Sequence, residues 1–231
     1  VAHENRIFCT PTLMSRPHED RPRHTLADHR VGGAPLAFAL GTWCAIEVLH
    51  VTAERAEATI SSYETLVERA RASIKGVGSA AILRAHDRRR VIVLVQLEGH
   101  EAFRHLVSAW DHHHVLSERH AVAESRTLAL YSLREVVGED IIDPESTDAY
   151  AFEHVLRDVE RVGHILTPAL GFFSAYIFGT DDASASVIVY RFGHTEEITA
   201  FRETPDAQRI LGARGTTGET FTFARPVRTF A

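Results

Sequence analysis

Eight of the fifteen histidines lie between His50 and His120, and six of these crowd the stretch 100–120: His100, His105, the run His112-His113-His114, and His120. Imidazole titrates near neutrality, so a histidine can take a proton from a phenol or a β-keto carbon and return it. His112, His114 and His120 are therefore the candidate acid–base groups. Trp110, beside them, offers a wall for a flat aromatic substrate. Three consecutive imidazoles point in different directions on a helix or a strand and cannot all face one pocket. The competing expectation is a polar loop over 111–125 with its histidines in water. A metal site at His105, His112 and His120 lacks the nearby cysteine or well-spaced carboxylate that would complete a tetrahedral set, so none is expected.

Other side chains could shape a pocket. On the first strand Trp43, Glu47 and Val51 share one face, while Cys44, Ile46, Val48 and His50 share the other. A carboxylate among apolar neighbours is costly unless paired, so Glu47 belongs at an edge, in a pair or in a site; edge or interface placement is the expectation. Tyr63 falls on the apolar stripe of the next helix, with its hydroxyl toward a first pocket. In the second half Phe172, Phe173, Tyr176, Phe178, Tyr190 and Phe192 make two aromatic-rich strands, with His154 and His194 nearby. Trp43, Tyr63, Trp110, Tyr176 and Phe192 are thus the candidate substrate-binding residues. No glycine-rich phosphate loop, serine nucleophile elbow or usefully spaced Cys–His pair occurs, which argues against nucleotide cofactors and covalent catalysis.

The elements that must carry these residues follow from periodicity. A β-rich run over 42–51 precedes a helix over about 52–74, whose Ala56, Ile60, Tyr63, Val67, Ala70 and Ile74 recur at three- and four-residue steps. Gly76 and Gly78 end it. A strand over 79–86 turns at Asp87–Arg90 into the strand of Val91–Leu97. A second helix starts near His100, with Phe103, Leu106 and Val107 inward, and a strand over 128–136 closes the unit. The order is β-α-β-β-α-β, the split ferredoxin-like pattern.

The pattern then recurs. A shift of 95 residues lays the Gly76–Ile82 segment on Gly171–Ile177, with Gly, Ser, Ala and Ile in common, and sets Glu101 on Glu196. The expected organisation is a disordered leader (1–37), a first repeat (38–138), an acidic linker (139–148) and a second repeat (149–231). In the second repeat a first strand (149–157) and a first helix (about 155–168) compete for the same residues. A four-stranded sheet with helices on one face leaves the other bare, so the repeats should bury those faces against each other.

A Gly-x-x-Ser-Ala strand, a turn, a Val-Ile-Val strand and a Glu-Ala-Phe helix start resemble the antibiotic biosynthesis monooxygenase superfamily of dimeric α/β barrels, over about 42–136 and 149–229. The resemblance implies an α+β fold of two ferredoxin-like repeats packed as a pseudo-dimeric α/β barrel. It also implies a cofactor-independent monooxygenase of secondary metabolism acting on an aromatic, polyketide-like molecule. The alternatives it carries are a polyketide cyclase, a haem-binding or haem-degrading protein, and a non-catalytic binding or scaffold member. Where the cofactor-free oxygenases carry an Asn and, four residues on, a Trp, this chain has Val93 and Leu97 in one repeat and Ile188 and Phe192 in the other. Trp110 and His120 keep the ten-residue spacing of the haem-degrading branch. However, Trp110 follows Phe103 by seven residues rather than about three, and the first strand has no Asn, so no cofactor is expected.

Composition narrows the partners. The net charge is −6, and no Lys/Arg cluster is interleaved with aromatic residues, so neither nucleic acid nor an anionic membrane surface is an expected partner. The run Arg88-Arg89-Arg90 reads as a solvated hairpin tip. No apolar stretch approaches the ~20 residues that span a bilayer as a helix. Two cysteines, Cys9 and Cys44, make no framework, and a buried thiol is expected for Cys44. The reading is cytoplasmic, monomeric as a pseudo-dimer or paired again as a homodimer. Val1 reads as a literally translated GTG codon, with Met14 the alternative start.

Overall fold

The computed structural model describes residues 34–117, 125–138, 142–157, 159, 162–212 and 220–230, with side chains left aside for 112–117 and 220. The first half runs β1 (Trp43–His50), α1 (Ala56–Ser73), β2 (Val77–Ala85), β3 (Arg90–Leu97), α2 (His100–Ser117) and β4 (Ser125–Gly138). The α1 stripe read from the sequence is the buried face: Ala56, Ile60, Tyr63, Val67 and Ala70 all pack inward. The hairpin tip closes as expected, with Asp87 accepting the Arg89 N–H at 2.9 Å and Arg88 in the left-handed region at φ 58°.

The second half runs β5 (Ala149–Val155), α3 (Gly163–Leu166), β6 (Phe172–Gly179), β7 (Ser186–Phe192), α4 (Thr195–Glu203), α5 (Pro205–Leu211) and β8 (Thr220–Phe230). The contested segment resolves as strand. Its alternation sends Phe152 to one face and Ala151 and Val155 to the other, a period of two that a helix cannot satisfy. The first helix of this half keeps only four residues. The 95-residue shift carries the start of β2 to that of β6, the end of β3 to that of β7, and the start of α2 to that of α4. Beyond this, it sets Pro205 against Trp110. Proline lacks an N–H and forces extended backbone before it, so the long helix of the first half is broken here. Thr204 takes ψ 144° and caps α5 by accepting the Ala207 N–H.

Each half has the same strand order, β4-β1-β3-β2 and β8-β5-β7-β6. The halves join at β2–β8 and β4–β6, closing one eight-stranded antiparallel barrel. Closure pairs the edges that each sheet alone would expose. The two bare faces become the barrel interior, filled by Cys44, Ile46, Leu83, Leu94, Tyr131, Phe152, Tyr176 and Phe178 among others. The opposite faces pack under helices, one layer beneath α1 and α2 and another beneath α3, α4 and α5. The Cys44 thiol is buried and free, and burial pushes its pKa up.

Order extends past two expected boundaries. Leu36, in the segment expected to be disordered, and Ile142, in the expected linker, exchange backbone hydrogen bonds of 2.9 and 2.7 Å. Both join the interior cluster with Phe38, whose ring meets Tyr176 and Phe178 edge-on. Their apolar side chains gain by covering interior residues, which outweighs the polar composition around them. Residues 1–33, with Cys9 and Met14, lie outside the described residues.

Gly138 ends β4 opposite Ser174 at φ +79°, and a Cβ there would collide with the Phe173 carbonyl oxygen. Gly138→Ala is therefore expected to cost more than about 1 kcal/mol in urea unfolding. Gly99→Ala, with nothing within 4 Å of the added Cβ, should leave the midpoint nearly unchanged.

Candidate active site

The polar groups that converge in the first half are centred on Glu47. β1 lies between β3 and β4, so Glu47 is opposite Val93 on one side and Leu128 on the other. It is 0% exposed. The expectation of an edge or interface position is corrected here: odd-numbered residues of β1 point under the helices, and the strand has a neighbour on each side. Tyr63 reaches Glu47 from α1 and donates a hydrogen bond to its carboxylate. Arg126, at the start of β4, donates to Glu47 Oε1 at 3.4 Å and to Asp111 of α2 through its other terminal nitrogen. Asp111, Arg126, Glu47 and Tyr63 thus form a line from solvent into the core.

Burial pushes the Glu47 carboxyl up to about 7, against the Tyr63 hydrogen bond and the Arg126 charge, which hold it down; Asp111 adds to the rise. Burial and the adjacent Glu47 charge raise the Tyr63 hydroxyl well above its ordinary value. A carboxyl near 7 exchanges protons at working pH, the property required of a general base. Trp110 packs edge-on to Tyr63 at 5.4 Å. Its indole N–H, a donor that buried tryptophans normally satisfy, meets no acceptor among the described residues.

The second half repeats the acid with a different outcome. Glu153 of β5 is opposite Ile188, the residue that the 95-residue shift matches to Val93, and opposite Phe221. It is therefore the counterpart of Glu47. Here Arg202 of α4, itself buried, pairs with Glu153 at 2.9 Å, donates to the Gly212 carbonyl at 3.0 Å and lies 5.6 Å from the Phe221 ring centre. Arg202 stands where the first half has Val107. The second acid is neutralised by an enclosed cation, whereas the first meets an arginine that is 32% exposed.

The expected substrate-binding residues fall in three separate layers. Tyr63 and Trp110 are in the first helix-covered layer, with Trp43 packed against its margin, 4.6 Å from the exposed His100 ring. Tyr176 lies inside the barrel, its hydroxyl accepting the Phe38 N–H at 3.3 Å. Phe192 lies in the core beneath α4. These five do not line one pocket, because Tyr176 and Phe192 face opposite sides of the sheet. His112 and His114 sit on the last turns of α2, but their side chains, and all of His120, lie outside the described residues. His105 is exposed. His154 contacts Tyr131 at 3.3 Å across the barrel interior, and His194 begins α4. Sequence reasoning did not single out Arg126, Asp111, Glu153 or Arg202. The signal available for the glutamates was an acid central in the first strand of each repeat.

Among the described residues no group of three His, Cys, Asp or Glu is arranged to hold a metal, and no helix is long and apolar enough to cross a membrane.

The closed ring with helices outside it is a pseudo-dimeric α/β barrel of two ferredoxin-like halves made within one chain. The structure of an anthrone oxidase-like protein matches with a TM-score of 0.68 and 13% identity, over 85% of this chain and 96% of that one. A candidate monooxygenase from Fusobacterium nucleatum subsp. nucleatum matches at 0.54 and 11%, over 83% and 95%. A chlorite dismutase variant from Candidatus Nitrospira defluvii matches at 0.52 and 10%, over 82% and 94%. At these identities the likeness is one of fold. No protein-family model and no curated sequence matches the chain.

Proposed function

We propose that the protein is a cofactor-independent enzyme of the monooxygenase kind, acting on a small aromatic, polyketide-like molecule, with its first half active and Glu47 as the base. The observation that carries this reading is the buried Glu47 carboxyl poised at about 7 between Tyr63 and Arg126. A base so poised can remove a proton from an activated methylene, and the Arg126 charge favours the resulting anion. With dioxygen as co-reactant, such a methylene becomes a ketone: one oxygen atom enters the product and the other leaves as water. The anthrone oxidase-like fold neighbour lends this arm support. The same proton transfer without oxygen would drive a cyclisation. His112, His114 and His120 are the alternative acid–base groups, and replacing each with alanine separates them from Glu47.

The near-complete enclosure of Glu47, Tyr63 and Trp110 favours a second reading, a non-catalytic binding or scaffold protein in which the network serves packing. One experiment divides the two. The protein is mixed with 1,8-dihydroxyanthrone in an oxygen electrode, and the product is identified by mass spectrometry. Oxygen uptake and ketone formation well above the uncatalysed rate support the enzyme. Saturable binding with no turnover, aerobic or anaerobic, supports the scaffold. A Soret band on adding haemin to the protein would replace both with a haem protein.

A further inference from the structure

Beside the short first helix of the second half lies a groove. In the first half the 18-residue α1 lies beside α2; in the second, α3 has four residues, and among the described residues Ala200 of α4 is exposed beside it. The space between α3, the turn that follows it, α4 and the start of α5 has a volume of about 670 Å³, within the range of small-molecule sites. Its walls are apolar: Ile165, Pro168, Ala169, Leu170, Ala200 and Phe201. Leu170 is 85% exposed, the most exposed large apolar side chain among the described residues. Such a surface gains by being covered.

The rim decides what would cover it. Three carboxylates, Glu196, Glu197 and Asp206, border the groove, with His164 on the α3 side. Asp206 is matched by Arg209 at 2.7 Å. Glu197 accepts a backbone N–H, from His194 at 2.9 Å, and Glu196 receives the Thr195 hydroxyl at 3.3 Å; among the described residues neither carboxylate has an arginine or lysine partner. An apolar trough under a negative rim complements a cationic head on an apolar body and repels an anionic one.

We infer that this groove is a binding site for a small organic cation, an amine on an aromatic or branched aliphatic body, separate from the Glu47 site. The site is assigned to binding and involves no bond change. Its ligand class, an organic cation, differs from the polyketide-like aromatic proposed as substrate, and the inference stands whether or not Glu47 is a catalytic base.

The test is calorimetric titration of the full chain with 1-naphthylmethylamine and with 1-naphthylacetate, which share a body and differ in charge. The amine is expected to bind at least tenfold more tightly than the acid, and to weaken severalfold in Glu196→Gln and in 0.5 M salt. Ala200→Trp, on an exposed helix position, should abolish binding by filling the trough without unfolding the chain. Glu47→Gln should leave it unchanged. Equal affinity for both probes would overturn the inference, leaving only an apolar trough. Binding that survives Ala200→Trp but is lost in Glu47→Gln would overturn it by placing the amine in the first half. Concentration-dependent dimerisation abolished by Leu170→Asp, with no amine binding, would assign the groove to a second copy of the chain instead.

Discussion

Glu47→Gln is expected to lower turnover of the aromatic substrate by about 10²-fold or more, with little change in KM, while the barrel stays folded. Glutamine keeps the shape of the side chain and can still accept from Tyr63 and Arg126, so only the proton-exchanging function is removed. The same variant has a signature in stability. Glu47 holds its proton more tightly folded than unfolded, with a pKa of about 7 against the ordinary 4.5 of a glutamate. Its contribution is complete below the unfolded value and is lost as pH rises through about 7. Unfolding free energy of the parent should therefore fall by roughly 3 kcal/mol relative to Glu47→Gln between pH 4 and pH 8. Tyr63→Phe removes a hydrogen bond that lowers the Glu47 pKa, so it should move the acidic limb of the activity profile, where the base loses its proton, to higher pH. A profile that ignores both substitutions but collapses in His112→Ala or His120→Ala would transfer the role to the histidines.

The second large effect belongs to the other half. Arg202→Met should cost about 3–5 kcal/mol in urea unfolding, because it removes the buried charge that balances Glu153. The double variant Glu153→Leu/Arg202→Met, in which neither charge is buried, should recover most of that loss. Neither change should alter turnover, since the Glu47 site lies beneath the other helix layer. A tenfold loss of activity in the double variant would mean that the second half takes part in the chemistry. Rescue by Arg202→Lys is expected to be poor: the guanidinium serves Glu153 and the Gly212 carbonyl at once and lies against the Phe221 ring, which an ammonium on a flexible stem cannot do equally.

What the sequence reveals follows from the range of each interaction. The strands and α1 are written in local periodicity, and the hairpin register of β2 and β3 survives the shift onto β6 and β7 because turn lengths are local. Partners distant in the chain were not legible. Arg126 meets Glu47 across 79 residues, and no spacing rule connects the tip of β4 to the centre of β1. The break at Pro205 could have been read from the proline, since α2 has tryptophan at the matching place. Glu47 was legible as an anomaly, an acid in an apolar strand. Its resolution as a buried network needed Tyr63 and Arg126 to be seen together. The histidine run drew attention because residue type is visible and direction is not: Tyr176 and Phe192 have the same aromatic character and face opposite sides of one sheet.

The ring that passes through both halves has a genetic consequence. In a barrel assembled from two identical chains, symmetry imposes every substitution twice, once in each half. An arginine installed beside one central glutamate would then appear beside the other, and both acids would be neutralised together. With both halves encoded in tandem, Arg202 and Val107 are separate codons, and one could change while the other did not. One half can hold a rigid ion pair for stability while its sibling keeps an acid in a state that stability alone would select against.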